Sequence, residues 1–168
     1  MDEVILVDAN DREIGRTSRK EAHEKGLLHR IAVIYLVKVQ GQILVQQRLD
    51  YGRFDHSSAG HVDPDESYAD AAKRELKEEL GVDGILTAIG RGMSDEYKAY
   101  ANEHVKHQFV LYECQEVPRT INKNEIQSVH WANPLEIWHD MNGDPDCRKY
   151  TGGFKASLRI YLEYKKLL

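Results

Sequence analysis

Glu75, Glu78 and Glu79 stand at positions i, i+3 and i+4 of the run Arg74-Glu-Leu-Lys-Glu-Glu-Leu80. At about 100° per residue they share an arc of roughly 100° on one helix face. Ala69, Ala72, Leu76 and Leu80 fall in a neighbouring arc of roughly 80°, an apolar stripe that would dock on a sheet. Each like-charge pair at this spacing costs about 0.2–0.5 kcal/mol. Arg74 relieves part of that through Glu78, four residues on. A hard dication relieves far more: Mg²⁺ or Mn²⁺ takes carboxylate and carbonyl oxygens and usually contacts substrate phosphates as well. The turn before the helix, Ala59-Gly60-His61, can bring a backbone carbonyl to the same ion, because Gly60 permits close approach. Taken alone, three glutamates on one face more often form an ordinary solvated acidic stripe.

The surrounding elements must carry that helix. Residues 66–80 form the strongest helical stretch, with Gly81 as its stop. Val4–Val7 reads as a strand and Asn10-Asp11 as a turn. Ser18 and Glu21 resemble a capping box, and Gly26 a stop, so a short helix fits 18–25. Residues 31–39 and 43–47 are β-rich and flank Gln40-Gly41-Gln42, which predicts a hairpin. Residues 49–60 read as a loop, 105–112 and 127–131 as strands, and 91–103 carry no legible pattern. Pro134 opens a helix over 135–140, 142–153 is a polar loop, and apolar residues recurring from Phe154 to Leu162 close the chain with a helix. Mixed strands and helices with short connections favour an α/β sandwich with a mixed sheet over a doubly wound parallel fold.

The chain has 168 residues, of which 30% are charged and 41% hydrophobic, which suits one domain spanning 1–168 with its own core. A formal net charge of −5 with no basic block argues against a protein that grips duplex DNA by its phosphates, and leaves a small phosphorylated substrate open. Cys114 and Cys147 make no disulfide framework. The first ten residues lack a basic, then apolar, leader, and the longest apolar run is too short for a bilayer, so a cytoplasmic protein with no membrane partner is expected, as a monomer or homodimer.

The spacing from Gly60 to Val82 adds specificity. Glycine, five residues, glutamate, seven residues, Arg-Glu, an aliphatic, any residue, Glu-Glu, any residue, glycine and an aliphatic are all in place, a pattern that chance supplies about once in 10⁷ chains of this length. The segment thereby resembles the signature of the Nudix family. The resemblance implies an α/β/α sandwich and Mg²⁺-dependent cleavage of a diphosphate linked to another group, often a nucleoside, with Mn²⁺ as a substitute ion. Carried over by position, it implies that Glu78, Glu79 and the Ala59 carbonyl bind metal, with Glu75 a further ligand or a base. Arg74 would orient the glutamates, Glu66 would stabilise the loop–helix structure, and Gly60 and Gly81 would make the turns. Glu125, six residues before Trp131, stands where some members place an additional carboxylate, so it is a catalytic candidate.

A second resemblance reaches further along the chain. Val7-Asp8, Arg19, His23, Leu28-His29-Arg30, Val45-Gln46-Gln47-Arg48 and Gly60-His61 look like the isopentenyl-diphosphate isomerase branch of the same superfamily. That branch binds a second metal with three histidines and two carboxylates. The resemblance assigns this site to His23, His29, His61 and Glu103, with the other carboxylate falling at Ala101. The branch also places a cysteine where Ala59 stands here. Alkene isomerisation needs one group to protonate and another to deprotonate, and alanine can do neither.

The preferred reading is therefore a Nudix hydrolase in an isomerase-like frame. The alternatives are an isopentenyl-diphosphate isomerase and a non-catalytic nucleotide-binding module, the second of which an intact signature disfavours. Arg48 and Arg53 are the candidates for gripping phosphate. His56, His104, His107, His130 and His139 read as surface or strand residues, and Tyr97, Tyr100, Phe109 and Trp131 as core rather than base-stacking aromatics.

Overall fold

The apolar run that starts at residue 31 becomes most of β3 (Leu28–Leu36) in the computed structural model, which describes residues 2–168. From Ile31 on it carries no charge because both of its faces are covered. Ala32, Ile34 and Leu36 face one apolar layer, with Ala71, Ala72, Leu76 and Leu80 of α2 (Tyr68–Leu80). Ile31, Val33 and Tyr35 face another, with Phe154, Leu158, Tyr161 and Leu162 of α4 (Gly152–Tyr164) and Ile137 and Met141 of α3 (Pro134–Asn142).

β3 lies inside a sheet ordered β2-β1-β3-β8-β7, built from β1 (Glu3–Val7), β2 (Glu13–Ser18), β7 (Thr87–Lys98) and β8 (Glu103–Cys114). Its pairing with β8 is parallel and the other pairings are antiparallel, so the sheet is mixed and the fold is the α/β class expected. A short strand, β6 (Ser58–His61), also pairs with β3, setting Val33 opposite Ala59 and Ile31 opposite His61. A second sheet, ordered β5-β4-β9, joins β4 (Ile43–Arg48), β5 (Phe54–Asp55) and β9 (Ile126–Ala132). A short helix, α1 (Arg19–Lys25), is capped by the Ser18 hydroxyl and ends at Gly26 with φ 63°, as the capping pattern predicts.

Three expectations need correction. β3 and β4 are not a hairpin: they belong to different sheets and meet only at a Val37–Ile43 bridge. The turn residues at 40–42 were read correctly as a reversal, but the reversal carries the chain from one sheet to the other. The loop assigned to 49–60 contains β5 and β6. Residues 91–98, without a legible pattern, are the second half of β7. That strand hides because Gly90 and Gly92 interrupt it, and α4 explains them: a Cβ at either position would lie 2.9 Å and 2.5 Å from atoms of Ile160. Among the described residues no helix is long and apolar enough to cross a membrane.

Candidate active site

The carboxylates of α2 open into a cleft of about 840 Å³. Glu79 is buried, with 2% of its surface exposed, whereas the Glu78 side chain is 58% exposed. Glu79 Oε2 accepts hydrogen bonds from Gln46 Nε2 at 3.2 Å and from Ser58 Oγ at 3.1 Å. Gln46 belongs to β4 and Ser58 to β6, so each sheet supplies one anchor. Neither contact can be found from linear spacing, and Ser58 gave no signal in the sequence.

Arg74 ties the rest together. Its Nε and Nη2 donate to the two oxygens of Glu66, each at 2.9 Å, in the bidentate geometry of a guanidinium on a carboxylate. Its Nη1 donates to Glu75 Oε1 at 2.7 Å, and Nη2 also donates to the His61 carbonyl at 2.9 Å. Glu66 Oε2 in turn accepts from the Asp63 backbone amide. Thus Arg74 fixes the loop leading into α2, the first glutamate and the end of β6 at once. Gly60 has to be glycine here, since a Cβ would fall 2.0 Å from the Glu75 carboxyl carbon.

Burial pushes the Glu75 carboxyl up to about 7 against the opposing pull of Arg74, and the charges of Glu78 and Glu125 add to the rise. Burial pushes Glu79 up to about 8, and the charge of Glu75 adds to that. Glu125 therefore belongs to the same electrostatic cluster, although it lies on the turn before β9, and it lines the cleft together with Ala59 and Arg48. Crowded, desolvated carboxylates that resist ionisation are the donor set a hard dication stabilises.

The same cleft is lined by imidazoles, those of His23, His61 and His107, with His29 behind them. His23 of α1, His29 of β3, His61 of β6 and His107 of β8 each offer a ligand atom within 4.8 Å of the others. His29 and His107 are register partners across the parallel pair. Burial holds His23 down to about 4, lowers His29, and holds His61 and His107 well below the usual imidazole range. The Nε2 atoms of His23 and His107 are buried and have no hydrogen-bond partner among the described residues. Glu103, assigned to this site by resemblance, stands 4.0 Å from His23 Nδ1. His107 was read as an ordinary strand or surface residue; it is on a strand, and it is a member of the cluster. The signal for it was the alternation Val105, His107, Phe109, Leu111, which puts His107 on a core-facing side. His56 is likewise buried rather than at the surface.

The two phosphate-gripping candidates part ways. Arg48 lines the main cleft, with Nη1 donating to Gln46 Oε1 at 3.0 Å. Arg53 lines an adjoining pocket of about 470 Å³ instead, and its guanidinium is engaged by Glu96 at 2.5 Å and by the Cys147 carbonyl at 2.9 Å. It is a buried ion pair of the fold. Tyr97 and Tyr100 are exposed, not core as expected, and both border that smaller pocket.

Comparison with known proteins agrees with this layout. The family model described as the NUDIX domain matches residues 27–151. The chain is 41% identical to an uncharacterised Nudix hydrolase of Pseudomonas aeruginosa, covering 95% of this chain and 93% of that one. It is 35% identical to an isopentenyl-diphosphate Delta-isomerase of Burkholderia multivorans, covering 86% and 85% of the two chains. Among solved structures, a Deinococcus radiodurans protein superposes with a TM-score of 0.71 at 19% identity over 94% of this chain, a likeness of fold.

Proposed function

The chain belongs to the Nudix family and is a hydrolase of pyrophosphate bonds, and on that premise we propose that its cleft cleaves a nucleoside di- or triphosphate, or a nucleotide-linked diphosphate, with Mg²⁺ held by Glu75, Glu78, Glu79 and the Ala59 carbonyl. The observation that carries this reading is the pairing of partly buried Glu75 with buried Glu79 in one cleft, their carboxyls pushed up to about 7 and 8 by burial and by one another's charge. That donor set would hold Mg²⁺, or Mn²⁺ in its place, which when bound would neutralise charge on the diphosphate and lower the pKa of a coordinated water.

The residues divide the remaining work. Gln46 and Ser58 hold the Glu79 carboxylate with one oxygen turned to the cleft. Arg74 keeps Glu75 from swinging away and leaves its second oxygen free. Arg48, on the edge of the cleft, pairs with a phosphate oxygen. Glu125 has no hydrogen bond through its side chain among the described residues and faces the other carboxylates, so it takes the proton from the attacking water.

The isomerase reading fares worse in the same cleft. Ala59 offers no proton, Cys114 is buried in the α2 layer, and Cys147 borders the adjoining pocket rather than the cleft. A Mg²⁺-dependent screen of nucleoside di- and triphosphates, sugar nucleotides, dinucleoside polyphosphates and prenyl diphosphates tests the proposal. The expected result is monophosphate release by the native chain and a loss of about 10³-fold or more in Glu79→Gln, with the melting temperature little changed. Equal behaviour of the two proteins on every compound, or isomer formation from a prenyl diphosphate, overturns it.

A further inference from the structure

The second metal site implied by the isomerase-like resemblance does not fit the residues that surround it. It calls for three imidazoles and two carboxylates. One carboxylate position is Ala101, and the other, Glu103, is 4.0 Å from the outer Nδ1 of His23. The position beside the three expected histidines is filled by a fourth, His107, brought in by the parallel β3–β8 register. We propose that His23, His29, His61 and His107 form an all-imidazole centre for a borderline transition ion such as Zn²⁺ or Co²⁺, separate from the carboxylate site and unsuited to Mg²⁺.

Three observations support this. First, the ligand atoms already converge. His29 Nε2 and His61 Nε2 are 3.2 Å apart, close to the edge of about 3.3 Å that two nitrogens make in a tetrahedron with metal–nitrogen bonds near 2.0–2.1 Å. The whole set lies within 4.8 Å, so closure to tetrahedral edges asks for shifts of about 1.5 Å or less. Second, the outer side of the site fixes a tautomer. His29 Nδ1 lies 2.8 Å from the Leu27 carbonyl, so Nδ1 carries the proton and Nε2 turns a lone pair inward. Third, the site is otherwise unsatisfied. His23 Nε2 and His107 Nε2 are buried, without a hydrogen-bond partner among the described residues, and on side chains that line the cleft, which is costly for a core of plain polar side chains.

The donor set decides the metal. Neutral imidazoles suit Zn²⁺, Cu²⁺, Ni²⁺ and Co²⁺, whereas Mg²⁺ and Mn²⁺ prefer oxygen. Such an ion would join the consecutive α1 and β3 to β6 and β8, which lie well apart from them in sequence. With no carboxylate among its ligands, it lacks the acid and base that alkene isomerisation requires. The centre serves as a brace for the part of the cleft built by these four elements.

The test uses the untagged full chain, stripped of metal and titrated with Co²⁺ and Zn²⁺. Native protein is expected to bind one equivalent of Co²⁺ with the intense visible bands of a four-coordinate site, to exchange it for Zn²⁺, and to melt at a higher temperature with Zn²⁺ than without. His107→Gln should lose the bands and bind at least 10²-fold more weakly, and Glu103→Gln should keep both. Circular dichroism of the metal-free variants confirms folding, and His29→Gln is the second variant should His107→Gln not fold. Loss of the bands in Glu103→Gln but not in His107→Gln overturns the four-imidazole assignment, as does a native chain that shows no bands. The same titration on Glu79→Gln separates the two centres: Co²⁺ bands that persist there, with or without hydrolytic activity in the native chain, leave this inference independent of the hydrolase reading.

Discussion

The two clusters of the cleft gather titratable groups by opposite means. Glu75, Glu78 and Glu79 are neighbours on a single helix, so one periodicity places them together. His23, His29, His61 and His107 come from four elements spread over much of the chain, and only the packing of α1, β3, β6 and β8 makes them meet. The carboxylates are anchored from outside by Arg74, Gln46 and Ser58. Of the imidazoles, His29 donates from Nδ1 to the Leu27 carbonyl, and two of their nitrogens have no hydrogen-bond partner among the described residues. The lesson is about chemistry as well as position. Buried carboxylates resist ionisation and call for a hard cation, while buried imidazoles resist protonation and offer lone pairs to a softer one.

The largest blow to that separation is Arg74→Ala, because Arg74 holds both Glu66 and Glu75 and also donates to the His61 carbonyl. It should cost about 10²-fold in kcat and roughly 1–3 kcal/mol in stability. Steady-state kinetics and urea unfolding measure the two effects. A Co²⁺ spectrum that vanishes as well would mean the clusters are one unit rather than two.

Gly60→Ala comes next. Its Cβ would press on the Glu75 carboxyl at 2.0 Å and force that side chain out, at about 1–3 kcal/mol of stability with weakened Mg²⁺ dependence. Denaturant midpoints and the Mg²⁺ concentration for half-maximal rate report on it. An unchanged Mg²⁺ response would argue that Glu75 is not a ligand.

Smaller, and opposite in sign for the two clusters, is the effect of pH on the metal-free chain. Folded Glu75 and Glu79 keep their protons up to about 7 and 8, while unfolded carboxyls release theirs near 4.5. The folded state thus binds more protons between those values, and stability falls as pH rises through the window. Folded His23 loses its proton by about 4 against 6.5 when unfolded, so the imidazole contribution is present above 6.5 and lost as pH falls towards 4. Above about pH 7 the imidazole contribution is nearly complete and the carboxylates set the sign: between pH 7 and 8 the melting temperature should drop by a degree or two, at about 2–4 °C per kcal/mol for a chain of this length, and added Mg²⁺ should flatten the drop. Differential scanning calorimetry across that range checks it; a rise with pH would remove the carboxylate account.

Ser58→Ala is the mildest. It removes one of two donors to Glu79 and should cost about 1 kcal/mol or less in stability while raising the Mg²⁺ requirement slightly. A larger effect on Co²⁺ binding than on Mg²⁺ would reverse the assignment of β6 between the clusters.

Several elements were legible in the chain because their cause is local. The α1 cap at Ser18, the α2 stop at Gly81 and the Pro134 start of α3 are set by residues within a turn of one another. β2 and β7 were not, because their patterns answer to partners elsewhere. β2 is a mostly exposed edge strand, and the glycines of β7 answer to Ile160, near the far end of the chain. Arg53 shows the same dependence on distant partners: it reads from the sequence as a phosphate grip, and in the fold Glu96, brought over by β7, takes its Nη1.

Spacing along one helix was enough to determine the glutamate face, its arginine and the glycine that lets the preceding turn approach, since a 3.6-residue repeat fixes which side chains are neighbours. Which strands lie beside β3 is a matter of long-range pairing that no local repeat encodes. That pairing brought His107 to His29, sent β3 and β4 into different sheets, and gave the cleft a cluster of imidazoles beside its acids.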